Sequence, residues 1–312
     1  MAVTRNNSNS PLPYFGPLSG ISAYANRGGE IFHYVSTGVN PNDVVNATYR
    51  VHVFDRPGDT SMTFDRAGSV DVLLVGGGGA GGNAYERYQH GGGGGAGGLL
   101  QSYGVAVDRG FTNIHVGGGG RGKWSHSGEQ TRANGASSFF GPLEAIGGGR
   151  GASRGDIYNT SHAGGSGGGT TDTENRTPGA GTVGQGHAGG YAYADHNAAP
   201  GGGGAGEPGA NITVNTDPGH GGDGLAVAFY SNDAIYYAGG GAGARRDANG
   251  VAPQGGLGGG AAGIISGNTN DNGEDAQYYG GGGSGSASGV STAWTQGGSG
   301  YQGLVMVRYR IG

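Results

Sequence analysis

The chain of 312 residues contains 80 glycines and no cysteine, and its formal net charge is −5. Because it has no basic excess to attract a phosphate backbone, nucleic-acid binding is not predicted. Without cysteine the chain forms no disulfides, thiol nucleophiles or cysteine-type zinc sites, which favours assembly in a reducing cytoplasm. The sequence shows no export signal and no apolar run long enough for a membrane span, so membrane insertion is not predicted either.

The first third of the chain carries the strand-like patterns. Residues 1–30 are rich in Asn, Ser, Pro and Gly and predict an arm or linker, either loose or docked on a partner. In residues 31–75, short β-type runs alternate with turn signals, which predicts a small antiparallel β region that leads into the rest of the chain. These runs are Ile31–Ser36, Ala47–Phe54, Ser61–Phe64 and Ser69–Val75.

Glycine tracts dominate residues 76–312 and alternate with loops to the end of the chain. A few apolar segments between the tracts are predicted to be strands, and the last of them closes the domain. These segments are Leu99–Val107, Thr112–Val116, Ser137–Ile146, Leu225–Ala238 and Leu304–Ile311. No stretch has a helical period, and glycine costs about 1 kcal/mol at each helix position. We therefore expect a mostly β and irregular fold with almost no α-helix.

A glycine tract has no side chain to bury, so its order must come from hydrogen bonds between backbones. The regular form that allows this is a polyproline II type helix, which has three residues per turn and no internal hydrogen bonds. Without Cβ atoms such helices approach closely and bond to one another. The tracts therefore predict a domain of packed polyglycine II helices, with loops projecting from the tract ends.

An enzymatic interpretation is available but lacks its structural context. The strand-like run Val70–Val75 leads into Gly76–Gly82, where the spacing of a dinucleotide-binding loop occurs inside a glycine run. That motif needs a following helix and a later acidic residue, and residues 83–90 return to glycine instead. The nine histidines form no helical metal-binding pair. We predict no enzyme, no cofactor and no metal site, although a metal site assembled in space stays open.

Several segments resemble, in order, the glycine-rich domain proteins of tailed bacteriophages, including cyanophages. They cover residues 50–311 and are Ser69–Gly79, Gly91–Gly98, Ile114–Gly120, Ser137–Gly141, Ala145–Gly149, Gly221–Leu225, Ile235–Gly241, Gly297–Gly300 and Leu304–Tyr309. The chain is also similar in kind to the tail-fibre tip adhesins of T-even-like phages. This second resemblance implies a polyglycine II lattice with receptor-binding loops at one end.

The resemblance implies a virion structural protein, in a tail fibre or fibre tip, that contacts a host cell-surface receptor made of protein or polysaccharide. Other virion proteins would bind through residues 1–75, and a homo-oligomer is expected. Rigid aromatic side chains give contact area at low entropic cost, so the receptor-binding candidates are the aromatic residues of the loops: Tyr85, Tyr88, Trp124, Tyr191, Tyr193 and Trp294. The alternatives are a head, neck or capsid-decorating protein, and a cellular surface or matrix protein. In the alternative interpretation of these aromatics, they cap the glycine lattice. Four other aromatic residues lie in strand-like runs and are predicted to belong to the small β core: Phe139, Phe140, Tyr236 and Tyr237.

Overall fold

A computed structural model of the chain describes residues 23–25, 30–84, 89–122, 133–153, 160–172, 177–193, 197–215, 217, 219–246, 251–266, 269–289 and 295–311. Within these ranges the chain forms β-strands and irregular segments and no α-helix, which confirms the expected fold class. Two five-stranded antiparallel sheets and a set of glycine tracts make up most of the structure.

The two large sheets pack face to face. The outer sheet has the order β1 (Ala23–Ala25), β4 (Gly58–Phe64), β8 (Gly110–Val116), β9 (Ser138–Phe140) and β10 (Leu143–Ala145). The central sheet has the order β2 (Glu30–Val35), β3 (Thr48–Phe54), β15 (Leu304–Arg310), β5 (Gly68–Val75) and β7 (Leu99–Val107). Strands from residues 31–75 thus share both sheets with strands from later in the chain, and β1 lies within the segment predicted to be an arm.

Alternating side chains of the central sheet build two hydrophobic clusters. In β5, Val70, Val72 and Leu74 face the outer sheet, where they pack with residues such as Met62 and Ile114. The opposite face of β5 packs against a hairpin made of β11 (Leu225–Val227) and β12 (Ile235–Tyr237). The two middle strands of the central sheet, β5 and β15, are therefore buried on both faces, which explains their nearly continuous apolar runs.

The glycine tracts begin where the strands end. Strand β5 continues into residues 76–82, and residues 91–98 lead into β7. Every N–H group of residues 76–82 donates to a backbone carbonyl of another segment, so none of them is available to a phosphate. The three remaining short strands form a small sheet at the opposite end of the tracts: β6 (Gln89–His90), β13 (Asn270–Asp271) and β14 (Ala287–Ser288).

Hydrogen bonds from the tract 91–98 repeat every third residue, as a threefold helix requires. Toward residues 280–286 the bonds are Gly91 to Ser286, Gly94 to Gly283 and Gly97 to Gly280. Toward residues 146–152 they are Gly92 to Ala152, Gly95 to Gly149 and Gly98 to Ile146. Toward residues 200–203 they are Gly93 to Pro200 and Ala96 to Gly203. The three rows of N–H groups thus point to three different neighbours.

The carbonyls of the same tract accept from three further segments. Residues 76–82, 166–169 and 241–244 donate to it, again at intervals of three residues. No glycine of residues 91–98 has φ in the left-handed region, which agrees with the polyproline II conformation. Six neighbours around one threefold helix make a hexagonal lattice of polyglycine II helices, with residues 91–98 at its centre.

Close contact between tracts explains why these positions are glycine. A Cβ added at Gly95 would lie 2.3 Å from the Ser166 carbonyl oxygen, a distance that real Cβ atoms do not reach. Ala96 is tolerated in the same tract because its methyl group packs into the cluster beneath the central sheet. At this position a side chain is admitted because the lattice borders another layer.

A buried arginine holds the far end of the sheets together. The Arg308 guanidinium is fully buried and pairs with the carboxylates of Asp43 and Asp71. It also donates to the Tyr34 hydroxyl and, at 3.0 Å, to the Phe229 carbonyl. Burial raises the pKa of the Asp71 carboxyl above its usual range, against the opposing pull of Arg308. The network joins the loop after β2, strands β5 and β15, and the loop after β11.

Replacing a glycine that is packed against neighbouring tracts should destabilise the protein more than replacing a glycine with open space around its Cα. Gly95→Ala forces neighbouring backbones apart and should cost about 1–3 kcal/mol or more of the free energy of unfolding. Gly118→Ala is the matched control, because a Cβ there meets nothing within 4 Å; it should be neutral or slightly stabilising. Chemical denaturation of both variants measures the difference, and equal losses would contradict the packing argument.

Stability should fall as the pH drops below 6.5, because His52 is buried in its neutral form. Burial, helped by the nearby charges of Arg50 and His33, lowers its pKa from 6.5 to about 4. Between these values the unfolded chain binds a proton that the folded chain does not, so the loss approaches about 3 kcal/mol near pH 4. In His52→Phe, the pH dependence of the free energy of unfolding between pH 6.5 and 4 should be shallower. An unchanged slope would exclude His52 as its source.

Candidate binding face

The glycine lattice has two different ends. At the sheet end, tracts join β5, β7, β8 and β15, and turns such as residues 182–185 pack beside Leu99. At the other end, called here the distal end, the tracts that lead away from the sheets stop and the tracts that lead back to the sheets start. The described residues at this end include Asn83, Ala84, Gln89, His90, Ser153, Asp172, Tyr191, Tyr193, Ile212, Arg245, Ser288 and Thr295.

The first and last described residues lie away from the distal end. Ala23 pairs with Phe64 at the end of β4 that is remote from the tracts. The Ile311 N–H donates to the Thr48 carbonyl at the equivalent end of β3. The first and last described residues of the chain therefore both lie at the sheet side of the molecule.

Two of the six predicted aromatic residues fall within the described structure. Tyr191 and Tyr193 both lie at the distal end, where the sequence placed a tract-end loop. Tyr85, Tyr88, Trp124 and Trp294 lie outside the described residues. Ala84 and Thr295, the described neighbours of two of those segments, form a bridge with each other.

The two tyrosines form one exposed aromatic pair. Their ring centroids are 4.7 Å apart, their planes are tilted by 57°, and their hydroxyl groups are hydrogen-bonded to each other. This hydrogen bond raises the pKa of the Tyr191 hydroxyl above its ordinary value. Tyr193 is 58% exposed. Each ring therefore limits the freedom of the other while remaining open to a partner.

A short parallel pairing fixes the backbone beneath this pair. The Ile212 N–H donates to the Tyr191 carbonyl, and the Tyr193 N–H donates to the Ile212 carbonyl. Ala192, Ala198 and Ile212 form a small buried cluster on the inner side. Because side chains alternate along paired segments, the tyrosines on either side of Ala192 face outward.

Residues 213–215 and 217 border the pair, and two charged side chains hold their backbone in place by hydrogen bonds. The Asp217 carboxylate accepts hydrogen bonds from the N–H groups of Thr213 and Val214 at 2.7 and 3.0 Å. The fully buried Arg245 guanidinium donates to the carbonyls of Asn215 and Asp217 at 2.8 and 3.0 Å. Sequence reasoning missed Arg245 and Asp217, because their role depends on a packing of distant tracts that no local pattern encodes.

A buried polar pair ties two other tract ends together. His90 Nδ1 lies 2.8 Å from Asp172 Oδ2, and both side chains are almost fully buried. Asn83 Oδ1 accepts the Gly297 N–H at 2.8 Å nearby in the lattice. Buried polar side chains therefore hydrogen-bond beneath the surface of the distal end.

A second surface feature lies on the outer sheet, away from the predicted residues. A cleft of about 510 Å³ is lined by Asp59, Thr60, Asn113, Ile114, His115, Phe139 and Gly141. His115 Nδ1 lies 2.6 Å from the exposed Asp59 carboxylate, and its ring meets the Phe139 ring edge-on. Such an exposed pair orients the imidazole but adds little stability.

Two aromatic residues differ from their predicted place in the β core. Phe139 is half-buried on the solvent side of β9, and Tyr236 is 42% exposed on β12. Their neighbours Phe140 and Tyr237 are buried as predicted. The difference follows from strand alternation, since adjacent residues of one strand cannot both face the core.

Among the described residues, no group of three or more histidine, aspartate or glutamate side chains is placed to hold a metal ion. The described part of the chain also contains no helix that is long and apolar enough to cross a membrane.

Taken together, the fold defines a class of protein in which a β-sandwich carries a polyglycine II lattice and the lattice presents a set of loops. A family model described as a glycine-rich domain matches residues 55–310, which covers most of the chain. The chain therefore belongs to this glycine-rich domain family. No curated protein matches it.

Removing the Arg245 guanidinium should loosen the border of the aromatic pair. Arg245→Met deletes two hydrogen bonds from a charged donor, each worth about 1.5–3 kcal/mol. The amides of Thr213 and Val214 should then exchange hydrogen at least about tenfold faster, while those of β15 should keep their rates. Arg56→Met, at an exposed arginine in the turn after β3, is the control. Unchanged exchange in Arg245→Met would show that Arg245 does not support this segment.

Proposed function

We propose that the chain is a non-enzymatic structural protein of a bacteriophage particle, located in a tail fibre or fibre tip, whose distal end contacts the host surface. The observation that carries the proposal is the polarity of the molecule. The first and last described residues lie at the sheet side, and the exposed tyrosine pair lies at the opposite end of the lattice. An attachment end and a contact end are what a host-binding particle component requires.

The lattice suits the role of a rigid spacer. An eight-residue tract with a rise of about 3.1 Å per residue separates its two ends by about 25 Å. Residues 91–98 have hydrogen-bonded neighbours on all six sides, so the distal end cannot shift without breaking many bonds at once. Loops on such a scaffold can change in sequence without disturbing the fold that holds them.

The sheet end offers a surface suited to other virion proteins or to further copies of the chain. Strand β2 is an edge strand of the central sheet, and edge strands are ready to pair with other chains. Large apolar side chains are exposed on this strand and on the loop that follows it: Ile31, Phe32, Val35, Val39, Val44 and Val45. These exposed side chains support attachment through residues 1–75. In this proposal the chain forms a homo-oligomer, is assembled in the bacterial cytoplasm and is carried in the virion.

Three described charged side chains of the distal end support a binding role over catalysis. Asp172 holds His90, Arg245 holds backbone carbonyls, and Asp217 holds backbone N–H groups. Each of these charged or titratable groups is thus engaged in maintaining the face. A catalytic acid, base or nucleophile has instead to reach a reacting atom.

Immunogold labelling of purified particles with an antibody against this chain tests the proposal. Label at distal tail or fibre tips is the expected result. Label over the head or neck would replace the host-contact role with the alternative of a decorating structural protein. No label on particles that contain all their other proteins would overturn the virion assignment and favour a cellular surface protein.

The orientation of the chain on the particle can be tested separately, because the chain has no cysteine of its own. Val251→Cys places a single thiol near the distal end, and Val183→Cys places one in a turn at the sheet end of the lattice; both side chains are exposed. Maleimide–gold should lie farther from the particle axis in the first variant than in the second. The reverse order would place the wrong end outward.

A further inference from the structure

The face around Tyr191 and Tyr193 is built from two paired segments, and in each segment one buried side chain lies between two side chains that face outward. In the first, Ala192 is buried between the two tyrosines; in the second, Ile212 is buried between Asn211 and Thr213. Four side chains thereby lie side by side above one small apolar cluster: Tyr193, Asn211 and Thr213 are exposed, and Tyr191 is partly exposed. The result is a shallow surface of two aromatic rings, one amide and one hydroxyl group.

The rings are fixed before any partner arrives. Their hydroxyl groups bond to each other, and the backbone between them is paired with Ile212. Tyrosine has few rotatable bonds, so holding it in one arrangement costs little entropy on binding. An exposed, ordered pair of rings offers apolar area to a flat ligand and polar groups at its border.

Asn211 supplies a directed hydrogen-bonding group next to the rings. Its Oδ1 accepts the Tyr191 N–H at 3.0 Å, which fixes the orientation of the amide. Among the described residues its Nδ2 donates to no acceptor, and the side chain is exposed. The amide N–H groups are therefore available to a ligand oxygen beside the tyrosine pair.

Two described charged groups next to this face, Asp217 and Arg245, are already engaged. The Asp217 carboxylate takes three hydrogen bonds from Thr213 and Val214, including one of 2.6 Å from the Thr213 hydroxyl. Arg245 is fully buried and binds carbonyls. An anionic ligand would require an exposed cation able to form charge-assisted hydrogen bonds, and these four side chains provide none.

We propose that this face binds a neutral polysaccharide, with the apolar side of a sugar ring against the tyrosines and a sugar hydroxyl on the Asn211 amide. The inference rests on the proposed function, since it names the class of host-surface ligand. A pyranose ring has one broad C–H face and hydroxyl groups around its edge, which matches aromatic rings bordered by an amide. A protein receptor would bury a larger and more mixed surface than these four side chains offer.

Binding of the full-length protein to immobilised neutral hexose oligosaccharides tests the inference, with polygalacturonate as the anionic comparison. We expect the protein to bind to at least one neutral oligosaccharide and not to polygalacturonate. The double variant Tyr191→Ala with Tyr193→Ala should bind that neutral oligosaccharide at least about tenfold more weakly. Tyr191→Phe with Tyr193→Phe keeps both rings and should keep most of the affinity. Tyr236→Ala, at an exposed tyrosine on the β11–β12 hairpin, is the matched control and should bind as the native protein does.

Three results would overturn the inference: the protein binds no neutral oligosaccharide, the double alanine variant binds as well as the native protein, or a host surface protein binds through the same two tyrosines. Amide hydrogen exchange of β15 in each variant shows whether the fold is intact. If gold label lies at fibre tips and no neutral sugar binds, the sugar proposal fails and the host-contact role stands. If a neutral sugar binds and the particles carry no label, the virion role fails.

Discussion

Hydrogen bonds between backbones that have no Cβ atoms are the interaction on which this structure depends. The tract 91–98 is held by six neighbours, and a Cβ added at any of its seven glycines would lie 2.4 Å or less from an oxygen atom of another segment. The large entropy that glycine loses on folding is offset collectively, since each tract orders the next. The sheets supply a hydrophobic start for this process, because β5, β7, β8 and β15 fix where four of the tracts begin or end.

The same constraint sets where chemistry can occur. Inside the lattice the few side chains are small and buried, such as those of Ala80, Ala96 and Ser166, so a ligand site has to lie at a tract end or on the sheets. At the distal end, Ala192 and Ile212 provide a minimal apolar base, and the Arg245 guanidinium takes the place of a larger core. An ordered pair of tyrosines can therefore be displayed on a scaffold whose interior is almost entirely peptide.

The sequence predicted the strands and the polyglycine II helices better than it predicted which segments pack side by side. Strand β7 has the bounds predicted for it, Leu99–Val107, because a glycine run ends directly before Leu99 and the charged residues Asp108 and Arg109 follow Val107. The lattice could also be predicted, since glycine tracts have few other ways to become ordered. Which tract lies beside which could not, because one glycine run is chemically the same as the next. For that reason Tyr191 and Tyr193 were candidates from sequence, whereas Asn211, Asp217 and Arg245 emerged only from the packing.

The near absence of apolar side chains inside the lattice has a thermal consequence. Exposing apolar surface raises the heat capacity on unfolding, and exposing peptide groups lowers it. A tract such as Gly91–Gly98 exposes almost nothing but peptide when it unfolds. Its contribution to the heat capacity change is therefore small or negative, and the stability curve of the whole chain is flatter than that of an ordinary domain of equal length. Such a protein keeps its fold over a wide range of temperatures without needing a large maximum stability.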